Sequence, residues 1–111
     1  MTNILIDSDK KLHNLLSKIE DCKEIGLDTE FIRESTYRPI LALIQISLAN
    51  EEIYLIDPQK IKDISGISKI TSDPKIIKII HSAKQDLEAL YSHLGSFPEN
   101  VFDTQIAYNF L

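Results

Sequence analysis

A chain of 111 residues with 43% apolar and 26% charged side chains is one domain at most and has the composition of a globular protein, which excludes disordered and fibrous classes. Its net charge of −5 excludes a nonspecific nucleic-acid binder with a basic face, although a cation-loaded acidic site escapes that objection, because bound ions reverse the sign a phosphate meets. The single cysteine, Cys22, excludes an internal disulfide and a cysteine-built zinc site, and it fits a reducing compartment.

The first residues, Met1-Thr2-Asn3, carry no basic segment, and the apolar run Ile4-Leu5-Ile6 is too short for a signal peptide or a membrane span. A cytoplasmic protein with no membrane partner is expected. Ile4 to Ile6 reads as a short strand. Leu12, Leu15, Leu16 and Ile19 then recur at helical spacing after a candidate N-cap at Ser8. Cys22, between acidic neighbours Asp21 and Glu24, is read as structural rather than nucleophilic.

Ile25 to Phe31 forms the second predicted strand. Side chains alternate faces along a strand, so Asp28 and Glu30 point one way while Leu27, Thr29 and Phe31 point the other. Two carboxylates side by side repel, and a cation, a basic partner or a shifted proton affinity relieves them. A hard divalent ion such as Mg2+ or Mn2+ suits their oxygens, while a solvated strand exit is the bland alternative. Pro39 closes the polar segment Arg33 to Arg38, Leu41 to Leu48 reads as a largely buried strand, and Asn50-Glu51-Glu52 as a turn into Ile53 to Ile56. Three adjacent antiparallel strands are expected, with the acidic pair at one end of the first.

Ile61, Ile64, Ile67 and Ile70 predict a short helix interrupted at Gly66, and Lys75 to Ile80 a strand. Ser82-Ala83-Lys84-Gln85 has the form of a capping box, followed by Leu87, Leu90, Tyr91 and Leu94 on one face and Gly95 as a stop. Asp86 lies at the margin of that helix's apolar stripe, where it either faces inward or simply complements the helix dipole. His13 and His93 fall on surface positions. His81 ends a strand just before the helix of Asp86, in a direct catalytic role or as a group that positions the turn. No glycine-rich phosphate loop, repeat or serine-histidine-acid set is present.

Taken together, Ile25-Gly26-Leu27-Asp28-Thr29-Glu30-Phe31, Leu41-Ala42-Leu43-Ile44-Gln45-Ile46-Ser47 and Tyr54-Leu55-Ile56-Asp57-Pro58 resemble the opening of ribonuclease D-type 3'-5' exonucleases. Lys78 to Leu90, with His81-Ser82-Ala83-Lys84-Gln85-Asp86-Leu87 at its centre, resembles the second exonuclease motif of that family, and Val101 to Ala107 the segment after it. The resemblance covers almost the whole chain, in order. It implies an α/β, ribonuclease H-like mixed sheet flanked by helices, and phosphodiester hydrolysis at RNA 3' ends with two Mg2+ or Mn2+ ions about 3.5–4 Å apart. In that scheme Asp28 bridges both ions, Glu30 holds the ion that activates water, and Asp86 supports the second ion. Thr29, Phe31 and His81 border the substrate, although a core role for Phe31 is equally open.

The family is named for four acidic residues, the last belonging to a third motif with a Tyr four residues earlier that orients the attacking water. Asp103 precedes the place of that motif and has Glu99 four residues before it, so Asp103 is read as a helix N-cap before Thr104. The expectation is therefore a partial exonuclease domain over residues 1–111, C-terminally incomplete, with an apolar patch at Ile106, Ala107, Phe110 and Leu111. Two readings follow. One is an exonuclease that is inactive alone or needs a separate chain carrying the missing part. The other is a catalytically silent module that at most binds a metal or a partner.

Overall fold

The computed structural model describes residues 2–33, 39–81, 94–95 and 98–105. Alternating apolar residues build a six-stranded sheet: β1 (Thr2–Ile6), β2 (Glu24–Arg33), β3 (Pro39–Ser47), β4 (Glu52–Ile56), β5 (Ile77–Ile80) and β6 (Val101–Asp103), in the order β1-β4-β3-β2-β5-β6. β3 runs antiparallel to β2 and β4, while the β1–β4, β2–β5 and β5–β6 pairs are parallel. The three antiparallel strands expected from the sequence are thus β2, β3 and β4, inside a mixed sheet.

Register shows why the core sits on one face. Ile6, Ile56, Ile44 and Thr29 lie in one row across four strands, and Ile4, Tyr54, Ile46 and Leu27 in the next. Apart from half-buried Ile4, all of these are buried. Helix α1 (Asp9–Ile19) covers this face with Leu12, Leu15 and Ile19, each at most 2% exposed. At roughly 1.5–3 kcal/mol per buried aliphatic side chain, this stripe is a principal source of stability. Ser8 caps α1 as expected, its Oγ accepting the Lys11 N–H at 3.3 Å.

Helix α2 (Ser65–Thr71) buries Ile67 and Ile70 against the same core. Gly66 does not interrupt it, contrary to the sequence expectation, but lies in its first turn. A Cβ at Gly66 would run into Leu16 Cδ1 of α1, so the glycine serves close helix approach rather than a break. Asp9 ties the start of α1 to the segment that leads into α2: its carboxylate accepts the N–H of Lys62 at 2.9 Å and of Asp63 at 3.0 Å. These two bonds hold the Asp9 carboxyl below the ordinary 3.8.

Lys78 occupies a core-face position of β5 with no exposure. Its Nζ donates to the carbonyls of Asp73 and, at 2.9 Å, of Glu99. Burial pushes its pKa below 10.5, against the opposing attraction of Asp73 and Glu99. Together with Glu99 N–H to Thr71 O and Asn100 Nδ2 to Pro74 O, both 2.9 Å, this amine ties the approach to β6 onto the approach to β5. The strand predicted from Lys75 begins at Ile77, because Asp73 accepts the N–H groups of Lys75 and Ile76 in a turn.

Candidate active site

The acidic pair lies in the interior of β2 rather than at its end, since β3 continues to pair with β2 as far as Arg33. What ends is the other neighbour: β5 pairs with β2 only through Gly26 and Ile79. Beyond that point β2 has lost one partner, and Asp28 and Glu30 project where the sheet opens. The alternation read from the sequence is present, with Asp28 and Glu30 exposed, Leu27 and Thr29 buried and Phe31 half-buried. One extra residue in β3, at Ala42, shifts the register between Glu30 and Phe31.

Register explains what surrounds Asp28. Ser47, Gly26, Ile79 and Phe102 form a row across β3, β2, β5 and β6 on the face opposite the core. Two residues further along, Gln45 pairs with Asp28. The same step carries β5 and β6 past their ends, to His81 and Thr104. Gln45, Asp28, His81 and Thr104 line a cleft of ≈ 340 Å³ together with Ser47, Gly26 and Ile79. Its place outside the carboxyl ends of the parallel strands β5 and β6, against the interior of β2, resembles the crevices where open α/β sheets bind ligands. Gly26 leaves the cleft floor without a side chain, and a Cβ there would run into Ser47 Oγ.

Asp28 Oδ1 accepts the N–H of Thr29 at 2.9 Å, which orients the carboxylate. Among the described residues neither Asp28 nor Glu30 forms an ion pair with a Lys or Arg; the pair present is Lys11 with Asp7, at 2.9 Å. Two exposed carboxylates on one face without an ion-pair partner among the described residues are a donor set that suits a hard divalent cation. A third His, Cys, Asp or Glu that would close such a site does not join them among the described residues. Asp86, the third acid expected, lies outside the described residues, as do the capping box at Ser82-Ala83-Lys84-Gln85, His93 and the apolar stretch from Ile106 to Leu111.

Of the other expected site residues, His81 is exposed at the cleft, and its Nδ1 lies 2.9 Å from Thr104 Oγ1. Thr29 is buried on the core side of β2, and Phe31 packs against the core. Asp103 has the expected capping role: its Oδ1 accepts the Gln105 N–H at 2.9 Å. Gly95, expected as a helix stop, follows helical Leu94 with φ +77°, a conformation glycine takes without strain.

A family model described as 3'-5' exonuclease matches residues 3–111. The chain belongs to that family. Ribonuclease D of Desulfotalea psychrophila is 46% identical over 110 residues, which is 90% of this chain and 29% of the relative. The crystal structure of Escherichia coli RNase D, described as an exoribonuclease involved in structured RNA processing, superposes with a TM-score of 0.90 at 39% identity, over 97% of this chain and 28% of that one. Trypanosoma brucei RNase D in complex with RNA U12 shares the fold, with a TM-score of 0.85 at 22% identity over 96% of this chain and 39% of that one. The chain thus spans a little over a quarter of the length of the curated relative and of the E. coli structure. The α/β mixed sheet implied by the resemblance is the sheet observed.

Reading the sequence did not single out Gln45, Ser47 or Thr104 as cleft residues. The first two carried a signal, being the polar positions inside the apolar run Leu41 to Leu48 and two residues apart, hence on one face. Thr104 carried none, because its place depends on the register of β6.

Proposed function

We propose that residues 1–111 form part of a 3'-5' exonuclease domain and contribute the carboxylates of a metal-dependent centre that hydrolyses phosphodiester bonds at RNA 3' ends. The observation that carries this reading is the exposed pair Asp28 and Glu30, beyond the last β5 pairing and without a basic partner among the described residues. Asp28, Glu30 and Asp86 would hold two Mg2+ or Mn2+ ions. When bound, such ions supply Lewis-acid activation of water and neutralise charge on the leaving oxygen. The chain's own residues then have distinct tasks: the Thr29 N–H orients Asp28, Gly26 opens the cleft floor, and His81 faces the end of the nucleic acid. Phe31 backs the strand from the core side.

An RNA substrate is supported by the description of the E. coli relative and by the RNA complex of the T. brucei one. A cytoplasmic location is supported by the free thiol of Cys22 and, among the described residues, by the lack of a helix long and apolar enough to cross a membrane. The fourth acid and the tyrosine of the family pattern have no match in residues 1–111, so a complete centre would need them from elsewhere, on the same polypeptide or on a separate chain.

The test is an assay on 3'-labelled RNA with Mg2+ or Mn2+. Residues 1–111 alone are expected to shorten it no faster than an Asp28→Asn control. Adding a polypeptide that covers the part of E. coli RNase D beyond the matched region is expected to produce shortening that Asp28→Asn abolishes. Trimming that survives Asp28→Asn, or its absence in every combination, overturns the reading.

A further inference from the structure

We propose that Thr104 is a positioning residue of this centre: its hydroxyl donates to His81 Nδ1 and fixes the imidazole tautomer that presents an Nε2–H donor to a phosphate of the terminal nucleotide. The inference deepens the reading of the cleft as a nucleotide site and rests on it. His81 and Thr104 follow β5 and β6 immediately and line the same cleft as Gln45 and Asp28. The 2.9 Å separation of Nδ1 and Thr104 Oγ1 makes a full hydrogen bond. Among the described residues Nε2 has no protein partner.

A neutral imidazole carries one proton on two nitrogens, and the group bonded to one nitrogen decides which role the other plays. A hydroxyl both donates and accepts, so Thr104 can satisfy Nδ1 as an acceptor and leave the proton on Nε2. A phosphate dianion has no hydrogen to donate, so its oxygens only accept, and an Nε2–H is a donor that can meet them. Thr104 is itself held in place from both sides. Asp103 caps the turn through Gln105, and Lys78 with Asn100 anchors the approach to β6.

The test uses the full 111-residue chain, with Thr104→Val removing the hydroxyl at constant shape and Thr104→Ser restoring it. Long-range 1H–15N NMR at a pH where His81 is neutral is expected to show the proton on Nε2 in wild type and Thr104→Ser, and a tautomer mixture in Thr104→Val. His13 should be unchanged. GMP titrated with Mg2+ present is expected to shift the His81 ring signals and to bind about three- to tenfold more weakly to Thr104→Val, the loss expected for an imperfectly oriented phosphate donor, with recovery in Thr104→Ser.

A proton found on Nδ1 in wild type overturns the proposal, as does unchanged GMP affinity in Thr104→Val. If Asp28→Asn weakens GMP binding while Thr104→Val does not, the Thr104 role fails and the nucleotide cleft stands. If neither variant changes it, or if GMP leaves the wild-type His81 signals unmoved, the reading of the cleft fails and takes the proposal with it.

Discussion

Neutralising Asp28 should change the protein's stability in opposite directions with and without a divalent cation. Asp28 and Glu30 are two residues apart on one strand face, and at about 3.3 Å per residue their backbone positions are roughly 6.6 Å apart. Two unit charges at that distance repel by about 0.6 kcal/mol in water and about 2.5 kcal/mol at an effective dielectric near 20. Both side chains are exposed, so the lower end applies. Asp28→Asn keeps an oxygen to accept the Thr29 N–H and removes the repulsion. In EDTA at low salt the variant should therefore be more stable by about 0.5–1 kcal/mol, or roughly 2–4 °C in Tm for a domain of this size. With Mg2+ at about 100 times its Kd, the wild type gains about 2.7 kcal/mol and the variant much less, so the order reverses. Thermal unfolding in EDTA, in Mg2+ and at about 1 M salt, where the Debye length falls to about 3 Å, measures all three terms. Equal Mg2+ shifts in the two proteins, or a destabilised Asp28→Asn in EDTA, would refute the argument that the pair is an unrelieved cation site.

Three further perturbations probe the frame of the cleft. Lys78→Met should cost about 1–3 kcal/mol by removing the donor to the carbonyls of Asp73 and Glu99, and Lys78→Ala about 3–5 kcal/mol because a cavity is added. Since burial lowers the Lys78 pKa, the unfolded chain binds the proton more tightly. The stabilising effect is complete above 10.5 and is lost as pH falls through the folded value, so the gap between wild type and Lys78→Met should widen as pH rises towards 10.5; chemical denaturation showing a constant gap contradicts this. Gly26→Ala should lose about 1–2 kcal/mol against Ser47 Oγ, and adding Ser47→Ala should recover most of it; additive losses in the double variant would mean the contact does not limit this position. Asp9→Asn should be less stable than wild type above its ordinary 3.8, with the gap closing as pH falls through the lower folded value, since the two N–H groups favour the ionised carboxylate; a gap independent of pH in acid denaturation would remove that role.

Local patterns fixed much of this molecule before any tertiary contact was considered. The alternation at Ile25 to Phe31, the helical spacing of Leu12, Leu15 and Ile19, the caps at Ser8 and Asp103 and the pairing of Leu41–Leu48 with its neighbours follow from residues a few positions apart, because strand and helix periods are short-range properties. Family membership was legible for a related reason: several short motifs occur in one order along the chain. Gly66 was misread because a glycine in an apolar pattern signals a break from within, whereas here its cause lies across the interface, at Leu16. Lys78 could not be foreseen as a buried tie, since one of its carbonyl partners, Glu99, comes from a separate turn before β6.

The sequence by itself determined which residues carry charge to one face of β2. Only the tertiary structure decided what that face meets, because β5 stops pairing at Gly26 while β3 continues to Arg33. That inequality of strand lengths opens the sheet beside Asp28. The common register of β3, β2, β5 and β6 then brings Gln45, His81 and Thr104 to it from separations of 17, 53 and 76 positions in sequence, which are the differences between their numbers and 28. Register across a sheet depends on every strand between two residues, so no local pattern encodes it.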